Sequence, residues 1–146
     1  MGDFFDSIDV SASALSAERL RMNTISSNLA NAQTTRTPEG GPYRRKDAVF
    51  EALPGKNFAD VLGNTLDVPL HKVQVVDVIS DQNPPRLVRD PEHPDADPDG
   101  MVAMPNINTM EEMVNLITAS RTYEANVTAI NVARNMMNKA LEIGKR

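Results

Sequence analysis

The chain contains no cysteine and no tryptophan, and aromatic residues make up only 4% of its 146 residues. Without cysteine, disulfide bonds and thiolate metal sites are excluded. Because aromatic side chains are few, the bulky residues that usually fill a hydrophobic core are scarce. No apolar run approaches the roughly 18 residues that a membrane-spanning helix requires. We therefore expect a single domain with a modest hydrophobic core and no segment inserted in a membrane.

A strong excess of positive charge is also lacking. The chain has 15 basic and 20 acidic residues, which gives a formal net charge of -5, and its one basic cluster is residues 44–46. Binding to nucleic acid requires a concentrated basic face, so we do not expect nucleic acid as a partner. The first ten residues lack the basic region and the continuous apolar run of a secretory signal, and we expect no cleavable signal.

Apolar residues recur over residues 8–33 at spacings of three, four and seven, which is the pattern of one helix face. Neither glycine nor proline interrupts this span. The pattern predicts a helix about 40 Å long whose apolar face packs against other helices. The larger apolar members of this face are Ile8, Leu15, Met22, Ile25 and Leu29.

A second periodic stripe lies near the C-terminus, with Ser120 and Arg134 as polar members. It predicts a helix over residues 109–143 that packs lengthwise against other helices, as in a coiled coil. Asn108 is expected to cap this helix, and Glu111 is expected to return a hydrogen bond to the cap. The predicted packing residues of the stripe are Met113, Leu116, Tyr123, Val127, Ile130, Met137 and Leu141.

The middle of the chain has a different composition. Residues 36–107 hold all ten prolines and only three short strand-like runs, DAVFEAL, KVQVVDVI and RLVR. This pattern predicts a small, turn-rich β insert. We therefore expect an α+β fold with a helix in residues 1–35, a β-rich region in 36–107 and a second helix in 108–146. The two helices should pair as a coiled-coil-like bundle.

The insert offers too few large apolar residues to cover both long helices. A closed two-helix core inside a globular protein is one interpretation of the two stripes. The composition of the insert instead favours apolar faces that remain partly exposed in one chain and are covered by other subunits.

The end of the first helix carries the sequence SSNLANAQTT over residues 26–35. Asparagine and threonine have short polar side chains that bond to nearby backbone groups, so they can end a helix and satisfy its free carbonyls. Pro38 and Pro42, with two glycines between them, then turn the chain away from the helix axis. The stretch is therefore predicted to join a helix to a separate insert.

Residues that could carry chemistry form no complete site. Residues 95–100 match the first half of a calcium loop, but Asn106 stands where the loop needs a bidentate glutamate. We expect a rigid acidic turn, with a calcium loop as the alternative. His71 and His93 lack partners at zinc-ligand spacing, and neither a nucleophile elbow nor a phosphate-binding loop occurs. We expect no catalytic residue, no metal and no cofactor.

Two segments resemble the terminal signatures of bacterial flagellar axial proteins, which are the rod, hook and hook-associated subunits. These segments are residues 30–34, ANAQT, and residues 123–126, YEAN. The segments TTRTPEGGPYRRKDAVFEAL and HPDADPDGMVAMPNIN resemble the proximal-rod members in particular, so the similarity covers nearly the whole chain. Gln33 and Met101 depart from the residues usual in that family, which are acidic and aromatic respectively.

The resemblance implies a structural subunit of the flagellar basal-body rod, without enzymatic activity, that polymerises through its terminal helices into a torque-transmitting tube. It implies a location in the rod that crosses the periplasm, and export through the flagellar type III system. The implied partners are copies of the chain, the rod proteins FlgB, FlgF and FlgG, and the adaptor FliE, with no small-molecule substrate. The residues that match the assembly signature are Asn28, Ala30, Asn31, Thr34 and Thr35.

Two other classes of protein fit parts of the sequence. A cytosolic coiled-coil adaptor or secretion chaperone would also show paired amphipathic helices. A small hydrolase would have to use the acidic turn and a histidine, and its activity would not depend on the terminal helices.

Overall fold

The computed structural model describes residues 2–54 and 71–144. Within these residues, two long helices enclose four strands in the sequence, so the predicted α+β fold with a small β insert is confirmed. None of the described helices is long and apolar enough to cross a membrane. In chain order the elements are α1 (Gly2–Ala30), β1 (Lys46–Pro54), β2 (His71–Ser80), β3 (Arg86–Arg89), β4 (Met101–Met104) and α2 (Thr109–Ile143).

The two helices pack against each other in antiparallel orientation, which confirms the predicted pairing. Two contacts fix the direction: Asn28 Nδ2 lies 3.0 Å from Glu112 Oε2, and Arg19 Nη2 lies 3.3 Å from the hydroxyl of Tyr123. The buried residues of the two helices include three small side chains, which allow neighbouring elements to approach closely. These side chains are Ala17, Ala119 and Ala133.

The face of α2 that meets α1 differs from the predicted stripe at its polar positions. Ser120 and Arg134 were expected on the seam, but the buried residues are their neighbours Ala119 and Ala133, and Arg134 is exposed. An alanine in these positions brings the helices together without burying a hydroxyl or a guanidinium, which would need a hydrogen-bonding partner. Arg134 therefore lies off the predicted seam by one residue, whereas Ser120 is half-buried like Leu116 and Tyr123, and its place on the seam stays a prediction.

The start of α2 has the predicted cap. The Asn108 side chain accepts hydrogen bonds from the amides of Met110 at 3.2 Å and Glu111 at 3.5 Å. The Glu111 side chain is exposed and makes no return bond to the Asn108 amide in the described part of the chain. The cap is thus formed by one side chain rather than by the predicted reciprocal pair.

Strands β1 and β2 form an antiparallel hairpin that packs along α1. The amide of Val73 donates to Ser13 Oγ at 3.2 Å, and the ammonium group of Lys72 pairs with the Asp9 carboxylate. On the other side of α1 lies α2, so α1 is held between α2 and the hairpin. A bulge between Val49 and Phe50 shifts the register of the hairpin.

Strands β3 and β4 form a second antiparallel pair. The run RLVR was predicted as a strand and is β3, whereas β4 was not predicted. The loop between these strands closes on itself, since the amide of Asp97 donates to Met101 O at 2.8 Å and the amide of Gly100 donates to Asp97 O at 2.7 Å. Gly100 has a φ of 73°, in the left-handed region that favours glycine.

We expect Gly100→Ala to lower the free energy of unfolding by about 1–3 kcal/mol. A Cβ at Gly100 would have to adopt the left-handed conformation and would lie 3.1 Å from Pro91 Cγ. The matched control is Gly144→Ala, because Gly144 has a φ of -73° and nothing closer than 3.7 Å to a new Cβ. Urea unfolding of the two variants should show a loss only for Gly100→Ala, and equal stabilities would contradict the prediction.

Candidate assembly interface

Polar side chains end α1 in the way that the sequence SSNLANAQTT suggested. The backbone amide and the Nδ2 of Asn31 both donate to Ser27 O, at 3.1 and 2.9 Å. The Thr34 hydroxyl donates to Asn31 Oδ1 at 3.2 Å, and the Thr34 amide donates to Asn31 O at 3.1 Å. These bonds form a turn directly after Ala30, so the helix ends three residues earlier than the predicted residue 33.

The acidic loop between β3 and β4 is tied to the chain that leaves α1. The Thr35 hydroxyl donates to Asp95 Oδ2 at 2.8 Å, and Arg36 Nη1 lies 4.0 Å from Asp95 Oδ1. The Asp95 amide donates to His93 Nδ1 at 3.1 Å. Across residues 2–54 and 71–144, no three His, Cys, Asp or Glu side chains are grouped to hold a metal ion. The Asp95 side chain therefore joins the loop between β3 and β4 to the segment that follows α1.

The side chain of Asn28 is fully buried, with 0% of its surface exposed, and it uses its whole hydrogen-bonding capacity. Its Nδ2 donates to Lys46 O at 2.8 Å and to Glu112 Oε2 at 3.0 Å. Its Oδ1 accepts from the Lys46 amide at 2.9 Å and from the Tyr43 hydroxyl at 3.1 Å. This one residue on α1 therefore joins the start of β1 to the start of α2.

Glu112 and Arg45 complete this contact. Glu112 is 1% exposed, and its Oε1 accepts a hydrogen bond from Arg45 Nε at 2.8 Å. Arg45 Nη1 also lies 3.2 Å from Asp47 Oδ2. Partial burial lowers the pKa of Arg45, but its hydrogen bond and charge interaction with Glu112, with a further contribution from Asp47, raise that pKa above its ordinary value. We call Asn28, Tyr43, Arg45 and Glu112 the polar junction.

The polar junction was only partly visible in the sequence. Asn28 was a predicted signature residue, but no local pattern marked Tyr43, Arg45 or Glu112 as its partners. Arg45 was only one member of the basic cluster at residues 44–46, and no pattern in the sequence distinguished Glu112 from the neighbouring Glu111. The other signature residues lie nearer the surface: Asn31, Thr34 and Thr35 are half-buried, and Ala30 is exposed.

Most of the predicted packing residues are buried or half-buried in the single chain. In α1, Ile25 is buried. Nine more of the predicted residues are half-buried: Ile8, Leu15, Met22, Leu29, Leu116, Tyr123, Val127, Ile130 and Met137. Met113 and Leu141 are 46% and 51% exposed. That the predicted packing residues also make contacts between subunits stays a prediction.

Helix α2 also has a second apolar face, which the spacing of apolar residues in the sequence did not separate from the first. At 100° per residue, Val114 and Leu116 point to nearly opposite sides of the helix. We call the exposed apolar side chains that lie opposite α1 the outer face. The outer face comprises Met110, Val114, Ile117, Val132, Met136 and Ile143.

Comparison with known proteins decides the family. The chain is 44% identical over 148 residues to the flagellar basal-body rod protein FlgC of Bacillus subtilis, an alignment that covers 97% of this chain and 98% of the relative. The chain belongs to the FlgC family. It is also 43% identical to FlgC of Borreliella burgdorferi, over 95% of this chain and 96% of that protein. FlgC of Aquifex aeolicus is 38% identical, over 99% and 100% of the two chains.

Two family profiles match the parts of the chain that contain the helices. The family described as flagella basal body rod protein matches residues 8–36, which include most of α1 and the signature residues. The family described as flagellar basal body rod FlgEFG protein C-terminal matches residues 99–143, which include β4 and α2. As a FlgC-family protein, the chain is a structural subunit of the flagellar basal-body rod.

Proposed function

We propose that this FlgC-family chain polymerises through α1 and α2, which pack side by side with the helices of neighbouring subunits to build the tubular rod that transmits torque. The observation that carries the proposal is the outer face of α2. Contact with α1 covers one apolar face of α2, whereas the opposite face remains exposed along the helix. An exposed apolar surface of this extent is typical of a protein that associates with others.

The size of the apolar effect is sufficient to drive assembly. The outer face has six large side chains that are at least half exposed. Complete burial of such a side chain contributes about 1.5–3 kcal/mol, so covering the face would contribute on the order of 10 kcal/mol. Part of this gain is lost to the entropy of association and of side-chain ordering. The net gain in free energy becomes large when one subunit meets several neighbours.

The three predicted regions take distinct roles in this proposal. Residues 1–35 and 108–146 form the assembly helices, and residues 36–107 form a small insert beside them. The polar junction supports this division, because it joins all three regions through buried hydrogen bonds. We infer that the junction holds the insert at a defined position relative to the helix pair, and therefore relative to the tube wall.

The partners and the export route follow from the same assignment. We propose copies of the chain, the rod proteins FlgB, FlgF and FlgG, and the adaptor FliE as neighbours in the rod. Export through the flagellar type III system, without a cleavable signal, would bring the subunit to a rod that crosses the periplasm. The function needs no catalytic residue and no cofactor, since it consists of binding and force transmission.

The test uses cells that lack the chromosomal copy of the gene. We expect these cells to be non-motile, and the full chain to restore motility. Basal bodies purified after detergent extraction should contain the chain in a fixed ratio to the other rod proteins. Flagellar number should rise with the amount of the chain supplied, because a structural subunit is required stoichiometrically, whereas an enzyme acts in trace amounts.

The same experiment separates the alternatives. A cytosolic adaptor or secretion chaperone would restore motility while remaining absent from purified basal bodies. A hydrolase would restore full flagellar number at low expression and would remain active without α2. Either result would contradict the proposed rod function.

A further inference from the structure

A second apolar surface lies on the side of the chain away from the outer face. It is a groove of about 410 Å³ between α1 and the β1–β2 hairpin. It is lined by small residues of α1, including Ser16 and Ala17, and by the apolar side chains of Leu20, Leu53, Val73 and Val75, with Lys72 and Gln74 of the hairpin as polar members of the lining. Small residues on a helix surface allow another helix to approach closely, and the apolar side chains of the lining would cover the sides of that helix.

The outer face of α2 cannot reach this groove within one chain. Helix α1 lies between α2 and the hairpin, and α2 has no packing contact with β1 or β2 over the described residues. The two surfaces can therefore meet only if they belong to different molecules. A contact between two unlike surfaces is heterologous, and its repetition gives a ring or an open helical array instead of a closed dimer.

We propose that the outer face of α2 docks into the α1–hairpin groove of a second copy of this chain. The inference rests on the proposed rod function and specifies which surfaces of the subunit meet. Large apolar side chains on the outer face, such as Ile117, would enter a groove lined mostly by small and apolar side chains. Both surfaces carry apolar side chains that are exposed in the single chain, so each would be stabilised by contact with another apolar surface.

The small area of the contact is the one expected for an array, in which each subunit makes two such contacts. The residues of α1 that line the groove run from Ser13 to Leu20, about 10 Å of helix, so a strip of the outer face about 10 Å wide that enters the groove has an area on the order of 100 Å². Stable pairs of proteins usually bury about 800 Å² on each partner. A single docked pair is therefore weak, and the contact becomes stable when each subunit uses its outer face and its groove at the same time.

Site-directed cross-linking tests the contact directly, because the natural chain has no cysteine. Ile117→Cys places a thiol on the outer face and Leu20→Cys places one in the groove; these side chains are 53% and 38% exposed. In basal bodies that contain both variants, a short bis-maleimide should give a cross-linked dimer of the chain. The matched control pairs Ile117→Cys with Asp99→Cys, on the exposed loop between β3 and β4, and should give no dimer.

Three results would overturn the proposal. Dimers formed by Ile117→Cys alone would show that two outer faces meet each other. Cross-links only to cysteines placed in other rod proteins would show that the occupant is not a second copy. Absence of any dimer from the doubly labelled basal bodies would show that these surfaces do not meet.

A charge substitution provides a second measurement. Ile117→Asp should reduce incorporation into basal bodies about tenfold or more, because docking would bury an unpaired carboxylate. Its urea unfolding curve should match that of the natural chain, since Ile117 is exposed in the single chain. Normal incorporation of Ile117→Asp would contradict the docking contact but leave the rod function intact. Absence of the natural chain from basal bodies would instead contradict the rod function.

Discussion

Asn28→Leu is expected to lower the free energy of unfolding by about 3–5 kcal/mol, as one of the two largest effects of a single substitution in this chain. Leucine has a similar volume but offers no hydrogen bond. It would leave the amide and carbonyl of Lys46 and one oxygen of Glu112 without the partner that they have now. Each buried polar group left unsatisfied costs about 1–3 kcal/mol.

The matched control for this variant is Asn23→Leu on the same helix. Asn23 is exposed, so its replacement should change the free energy of unfolding by no more than about 0.5 kcal/mol. Both variants should be measured by urea unfolding followed by circular dichroism. Equal stabilities for the two variants would mean that the buried hydrogen bonds of Asn28 do not hold the helices and the insert together.

The second large effect is expected for Glu112→Leu, with a loss of about 2–4 kcal/mol. Removing one member of a buried ion pair usually costs about 3–5 kcal/mol, because the other charge is left unpaired. Arg45 remains 26% exposed, so water reduces this penalty. The substitution also removes the acceptor of one Asn28 Nδ2 hydrogen bond.

Glu111→Leu is the control for Glu112→Leu. Both residues are acidic side chains in the first turn of α2, so both substitutions remove the same favourable interaction with the helix dipole, about 0.3–1 kcal/mol. Only Glu112 is buried against Arg45. The double variant Arg45→Met, Glu112→Leu should lose less stability than the sum of its single variants, because no charge is left unpaired. Additive losses would show that the two side chains are not coupled.

Local patterns in the sequence located most of the secondary structure. The stripe over residues 109–143 and the cap at Asn108 predicted α2 with the bounds that the structure shows. Three runs of β-branched and apolar residues predicted β1, β2 and β3. These signals act within one or two turns or along one strand, so they can be read without knowledge of the rest of the chain. Strand β4 was not predicted, although it is no shorter than β3, because its run MVAM lies between Gly100 and Pro105 in a turn-rich segment and only its pairing with β3 defines it as a strand.

The sequence also carried the family resemblance, since its signatures lie at the end of α1 and within α2. Asparagine and threonine after α1 predicted a helix end, and the structure shows Asn31 and Thr34 forming it. The resemblance could not show how these residues are arranged in space. It placed Asn28 beside Asn31 as members of one signature, although Asn28 contacts the other two regions of the chain and Asn31 contacts its own helix.

What the sequence determined by itself was therefore the existence of the two helices, the bounds of α2, the strands β1 to β3 and the family. Only the tertiary structure decided which face of α2 meets α1 and which partners surround Asn28. Periodicity shows that a helix has apolar faces, but which of them is covered depends on how the chain reverses between α1 and α2. Asn28 and Glu112 are 84 positions apart, and no local interaction relates two residues at that separation. Their contact exists because the antiparallel pairing brings the end of α1 to the start of α2.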